Sequence, residues 1–287
     1  MQIYYAPLEG ITGYLYRNLY QEYFGTGIDK YFTPFIVPSG GGYTKHKSMR
    51  DILPENNEGM PIVPQLLSNN AEDFLILAEK IKEIMKQQFV ETIKIKNGQA
   101  LALPYHQARM ERTIHRFFPA LASEEIKLSS LISPKEEMNL YKARVVYGIQ
   151  GVETIEYAPY KMKEIHSLKV VEDNNIDYTY KSTDRSALNA LVAQKDDCDE
   201  IIIVKNGLIT DTSFTNLALF DGNRWLTPKH PLLLGTKRAQ LLEAGIIEEA
   251  DLTPEDLRKA EKVSLFNAMI DFGEREVTEI FLPDSAD

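Results

Sequence analysis

The sequence predicts an α+β chain in two parts: a βα fragment over residues 1–84, then a mixed α+β body over 85–287. Three observations carry this prediction. The chain has 287 residues, 44% of them hydrophobic, enough for two cores at roughly 100–200 residues per domain. Short apolar runs alternate with helical stretches up to Met85, the rhythm of parallel strands with crossover helices. Beyond Met85, Asn97-Gly98, Asn206-Gly207 and Asp221-Gly222 each mark a turn between two apolar runs, and Asn-Gly readily supplies the positive φ angles of a tight hairpin.

In the first part, IYYAPL, KYFTPFIV and PIVPQLL are predicted strands, and ITGYLYRNLYQEYFG and AEDFLILAEKIKEI predicted helices. Asn69 or Asn70 is placed to cap the second helix, with Glu72 and Asp73 favoured in its first turn by the macrodipole. QFVETIKIKNGQALAL then reads as strand, turn and strand. LPYHQARMERTIHRFF (103–118) has large or apolar residues at helical spacing, with His106 and Arg109 on one turn.

In IDYTYKSTDRSALNALVAQ (176–194), alternation predicts a half-buried strand ending at Lys181 and a helix from about Ser186. IIIV (201–204) is a buried strand, and LALF leads through Asp221-Gly222 to RWLTP. HPLLLGTKRAQLLEAGI (230–246) predicts an amphipathic helix stopped by Gly245. Gly235, Thr236 and Lys237 fall in its first turn, where open N–H groups and the positive dipole end attract anions.

Composition removes several function classes. No apolar run reaches about 18 residues, so no membrane helix is expected, and the N-terminus lacks a secretory pattern. Cys198 stands alone, which suits a cytoplasmic protein and excludes a disulfide framework or a multi-cysteine zinc site. The five histidines never form a metal-type pair, so no metal is expected. Net charge is −10; residues 1–84 carry 7 basic and 10 acidic side chains, leaving 32−7=25 and 42−10=32 for the rest. Neither part is basic, and nucleic acid is an unexpected partner.

The stretches APLEGIT (6–12), YFTPFI (31–36) and PIVPQLLSNNAEDF (61–74) resemble the start of tRNA-dihydrouridine synthases. The resemblance covers residues 1 to about 83 and implies the opening of an FMN-binding TIM barrel, with Ala6, Pro7 and Gln65 along the flavin. About three strands cannot close a barrel of eight, and the later catalytic and phosphate-binding segments are missing, so this part is expected to be a truncated fragment.

Residues from about 85 to 287 resemble the class IV aminotransferases, the fold-type IV enzymes of pyridoxal 5′-phosphate (PLP), which include 4-amino-4-deoxychorismate lyase; the resemblance implies a small α+β subdomain over 85–170 and a larger PLP-binding subdomain over 171–287. HQARM resembles that family's HxxRL element, which implies phosphate binding by Arg109. KSTDR resembles its K-x-x-N-R motif, with Asp184 for asparagine, and implies Lys181 as the Schiff-base lysine. Gly207, Asp211, Asn216, Thr227 and Pro228 keep the spacing of G-x-x-x-E-x-x-x-x-N-[LI] … T-P. Asp211 is thereby implied as partner of the pyridine nitrogen, one methylene shorter than the family's glutamate. GTKR resembles the family's phosphate cup, implying Gly235, Thr236 and Lys237, and SLFNAMIDFGE implies Asn267 and Ala268 near phosphate and substrate. The resemblance implies a small amino substrate, an amino acid or aminodeoxychorismate, and a homodimer. The competing expectation is a non-catalytic fusion, or a fragment of a flavin-dependent tRNA modifier.

Overall fold

The computed structural model describes residues 3–8, 11, 13–24, 28–38, 50–52, 56–57, 60, 62–85, 87–118, 126–135, 137, 139–149 and 151–282. Glu9, Gly10, Thr12 and Pro61 of the first motifs, and the side chain of Met85, lie outside this description. The chain divides into two compact units. One comprises 1–88, 111–126 and 147–153; the other comprises 89–110, 127–146 and 154–287.

The first unit holds β1 (Tyr4–Tyr5), α1 (Tyr14–Phe24), β2 (Lys30–Ile36), β3 (Ile62–Leu66) and α2 (Ala71–Met85). The strands form a parallel sheet in the order β1-β2-β3, as the βα rhythm predicts, though β1 is only two residues of the expected IYYAPL run. Asn70 caps α2 by accepting the N–H groups of Glu72 and Asp73 at 2.8 and 3.2 Å. Ile36, Ile52, Leu77 and Ile81 make a small core. α1 turns Arg17 inward, and the guanidinium donates to the Asp51 carbonyl and Asn57 Oδ1 at 2.7 Å each. Leu15, Leu19, Tyr23 and Phe24 of the same helix remain exposed.

The second unit begins with β4 (Phe89–Lys96), β5 (Gln99–Ala100) and α3 (Leu103–Phe117), then α4 (Leu128–Leu131), β6 (Leu140–Gly148), β7 (Gly151–Pro159) and β8 (Ser167–Glu172); the ends of α3, β6 and β7 run into the first unit. α5 (Ser186–Val192), β9 (Glu200–Lys205), β10 (Leu208–Thr212), β11 (Asn216–Phe220) and β12 (Trp225–Pro228) follow. The chain closes with α6 (Thr236–Glu243), β13 (Glu248–Ala250), α7 (Pro254–Lys259), β14 (Lys262–Phe266), β15 (Glu276–Val277) and β16 (Glu279–Phe281). Three sheets result, in the orders β5-β4-β6-β7, β10-β9-β8-β16 and β13-β12-β11-β14-β15.

The last two sheets share one core, built from Leu168, Val170, Ile202, Val204, Leu217, Leu219, Val263 and Leu265. The alternate residues Ile201 and Ile203 face α5 with Leu188 and Leu191, and Ala218 and Phe266 face α6 with Leu241. Strands buried on both faces lose the polar alternation of an exposed sheet, which is why IIIV is continuously apolar. Asn97-Gly98 and Asn206-Gly207 adopt the expected positive φ angles, at 50° and 72°, and 53° and 75°.

One expectation is corrected. Residues 176–181 form no strand; the Val90 N–H donates to the Lys181 carbonyl at 2.9 Å, and next along the chain Phe89 bridges Ser182. Asp173 captures the N–H groups of Asn175 and Ile176, and Asp177 captures that of Thr179, so local side-chain acceptors displace a ladder. Alternation still placed Ile176 and Tyr178 inward and Asp177 and Thr179 outward, while Tyr180 is only half-buried.

Candidate active site

The second unit contains a cavity of about 220 Å³ whose wall includes Lys181, Arg109, Asp211, Gly235, Thr236, Asn267 and Ala268. Seven of the eight residues singled out by sequence thus meet at one place. The eighth, Lys237, sits one residue into α6 and sends its ammonium to Asp271 at 2.6 Å, sharing that carboxylate with Lys94 at 2.7 Å. Burial raises the Asp271 carboxyl, but the two lysines outweigh it and hold the group below its usual range.

Lys181 follows the irregular segment 176–180, which Tyr178 braces by donating its hydroxyl to the Ser182 carbonyl at 2.8 Å. Four residues on, Arg185 lies over the Tyr178 ring and donates to the Ser213 carbonyl at 2.9 Å. Burial, and next the charge of Arg109, lower the Lys181 pKa to about 8, with Glu91 and Asp211 opposing. A lysine must shed its proton to act as a nucleophile, and this pocket moves it toward that state near neutral pH.

Asp211 is placed by a one-residue bulge. β10 pairs with β9 as Ile209↔Val204 but then Thr212↔Ile202, so Thr210 and Asp211 together oppose Ile203. Its Oδ1 accepts from Asn216 Nδ2 at 2.7 Å and its Oδ2 from the Leu233 N–H at 2.8 Å. Both donors are neutral, and burial pushes the carboxyl up to about 7. Asn216 also donates to the Leu233 carbonyl at 2.9 Å, which ties β11 to the turn before α6. Gly235 permits this arrangement, because a Cβ there would lie 1.8 Å from Asn216 Oδ1. No residue larger than glycine fits without moving that amide.

Gly235 is also the N-cap of α6 and offers no side-chain acceptor, leaving the first N–H groups of the helix without an intrahelical partner. Asn267 donates to the Phe214 carbonyl at 3.1 Å and so fixes the 212–215 turn opposite. Behind Arg109 lies Glu91 on β4, wholly buried. Its Oε1 accepts from Arg109 Nε at 2.9 Å, and its Oε2 from Arg109 Nη2 at 2.5 Å and His106 Nδ1 at 2.6 Å.

The site therefore offers PLP what its parts require. Lys181 presents an amine drawn toward neutrality, and Asp211 is a buried carboxyl whose hydrogen-bond donors are neutral, so that a cationic ring nitrogen would favour its charged form. The α6 terminus and the Arg109 fork suit a phosphate. Among the described residues no group of three or more His, Cys, Asp or Glu could hold a metal ion. No described helix is long and apolar enough to cross a membrane.

Four residues in or behind the cavity wall carry no role in the sequence motifs. Glu91 lies within the mixed strand FVETIKIK, and His106, on the same helical turn as Arg109, has no partner that the local sequence indicates. The single acid of that strand, at a position flanked by apolar Val90 and by Ile93, is the available signal for Glu91. Lys142 and Tyr160, which also line the cavity, carried no signal, because their approach depends on how β6 and the segment after β7 fold.

Comparison with known proteins identifies the family. The family description for amino-transferase class IV matches residues 88–280, two thirds of the chain. An uncharacterised Haemophilus influenzae protein is 38% identical over 181 residues, 62% of this chain and 96% of that protein. A Schizosaccharomyces pombe protein provisionally assigned as an aminodeoxychorismate lyase is 27% identical over 190 residues, covering 60% of this chain and 82% of its own. A Haemophilus somnus crystal structure, provisionally assigned as a 4-amino-4-deoxychorismate lyase, superposes with a TM-score of 0.57 at 37% identity, over 65% of this chain and 98% of its own. From residue 88 onward, this chain belongs to the class IV aminotransferase family of PLP-dependent enzymes.

Proposed function

We propose that the chain acts on a small primary amine, an amino acid or aminodeoxychorismate, with Lys181 as the residue that joins the cofactor. The observation that carries this reading is the placement of Lys181 and Asp211 on one cavity wall, the amine lowered to about 8 and the acid raised to about 7. Such opposed perturbations mark groups tuned for proton work rather than for stability. Bound PLP supplies an electron sink for the bond broken next to the substrate nitrogen.

The chain's own residues divide the remaining tasks. Arg109 and the N–H groups at Gly235, Thr236 and Lys237 hold the phosphate. Asp211, oriented by Asn216 and the Leu233 N–H, keeps the ring nitrogen charged. With its free amine in the cavity, Lys181 would take or return a proton at Cα, and a pKa of about 8 would let it do both. Asn267 and Ala268 border the same space. The similarity to two provisionally assigned lyases favours lyase chemistry over amine transfer. A homodimer in the cytoplasm is part of the same reading.

Borohydride treatment of the full chain with PLP, followed by peptide mapping, tests the assignment. A phosphopyridoxyl group is expected on Lys181 and none after Lys181→Ala; label on another lysine overturns it. Cleavage of aminodeoxychorismate without a keto-acid acceptor then separates lyase from transaminase. For residues 1–84, the parallel order β1-β2-β3 supports a dihydrouridine-synthase-like fragment with no catalytic part in this reaction.

A further inference from the structure

The mechanism above uses Arg109 but not the buried group that grips it. Glu91 takes both the Nε and Nη2 hydrogens of Arg109, the fork geometry that fixes a guanidinium in plane and rotation. His106 completes the grip from the adjacent turn of α3, with Nδ1 donating because an ionised carboxylate only accepts. Glu91 and His106 have no solvent-exposed side-chain surface, and Arg109 keeps only 7% of its own while lining the cavity. A carboxylate so placed is expensive unless paired, so a purely structural position would be served as well by an apolar residue.

We propose that Glu91 is a positioning residue that aims Arg109 at the cofactor phosphate and balances its charge beside Lys181. The proposal rests on the PLP reading of the cavity. Two further features support it. Burial opposes ionisation of Glu91, yet Arg109 and His106 outweigh it and hold the carboxyl well below its usual range, so the pair stays ionised. Burial also keeps His106 neutral at physiological pH, so the trio carries no net charge, and Glu91 offsets the Arg109 charge felt at Lys181.

A structural strut and a positioning residue differ in what they do to the phosphate alone. Spectroscopic titration of the full chain with PLP and with pyridoxal, which has the aldehyde and ring but no phosphate, reads that difference. Glu91→Gln keeps the shape and removes the charge. It is expected to weaken PLP roughly tenfold or more and pyridoxal by no more than about twofold. In an Arg109→Gln background the same change should have little further effect on PLP, since residues acting as one unit are not additive. Glu91→Asp, charged but shorter, should fall between wild type and Glu91→Gln, and it provides the reading if the glutamine variant does not fold. Equal weakening of PLP and pyridoxal, or full additivity with Arg109→Gln, overturns the positioning role while leaving the PLP reading intact. Wild-type chain that takes up neither aldehyde at Lys181 overturns both.

Discussion

Glu91 and Asp211 are both withdrawn from water in the same unit, yet Glu91 meets an arginine and a histidine while Asp211 meets an amide and a backbone N–H. The first is held below its normal range by its partners and the second is pushed up to about 7 by burial. Burial is common to both, so the partner's charge decides the sign. Glu91 already has its cation and serves the site by holding it. Asp211 feels the charge of Arg238 only at a distance, has no cation among its hydrogen-bond donors, and is poised to receive one.

The comparison can be broken most directly by pH. A carboxyl raised from 3.8 to about 7 on folding contributes stability that is fully present below pH 3.8 and lost as pH climbs through 7. The ceiling is about 4 kcal/mol, at about 1.4 kcal/mol per unit. A carboxyl lowered from 4.5 works the other way: its stability is present above that value and lost only as pH falls toward acid. The cofactor-free chain should therefore lose melting temperature between about pH 4 and about pH 8, and Asp211→Asn should flatten much of that decline. An unchanged slope in the variant means Asp211 is not the group responsible.

Kinetics sharpen the contrast further. Asp211→Asn removes the charge meant for the ring nitrogen and should lower turnover roughly a hundredfold, or about 2.7 kcal/mol in the barrier, with little change in PLP affinity. Single-turnover rates within about twofold of wild type would remove Asp211 from that role.

The smallest expected effect concerns the other unit. A chain starting at Met85 should still bind PLP within about twofold of full length, because an H. somnus relative matches over 98% of its own length while covering 65% of this chain. Its melting temperature should fall, since 111–126 and 147–153 group with residues 1–88 in one compact unit. A truncated chain that is folded but cofactor-free would make the first unit part of the enzyme.

Much of this site was legible before any coordinates, for a definite reason. Lys181, Asp211 and Gly235 sit within short motifs whose spacing follows from turns and element ends, and sequence records spacing well. Glu91 and Arg109 are 18 residues apart on a strand and a helix, and nothing local says that they meet. The error at 176–181 has a related cause. Alternation reports which side chains turn inward, and that part held; whether the backbone finds a ladder depends on competing acceptors such as Asp173 and Asp177. Lys237 makes the same point for charge, since Asp271 lies 34 residues further along the chain.

The bulge in β10 makes the facing of Asp211 a matter of counting. Thr210 and Asp211 share one partner, Ile203, so β10 carries one residue more than its neighbour over this stretch. A strand interconverts its two faces with every residue added or removed. Losing a single codon at Thr210 would restore even pairing, at the cost of turning the carboxylate or the residues after it onto the wrong side of the sheet. Substitutions along β10 alter one side chain at a time, whereas a length change alters the address of every residue beyond it. Descendants of this chain should therefore vary in the composition of the stretch from Gly207 to Asn216 far more readily than in its length.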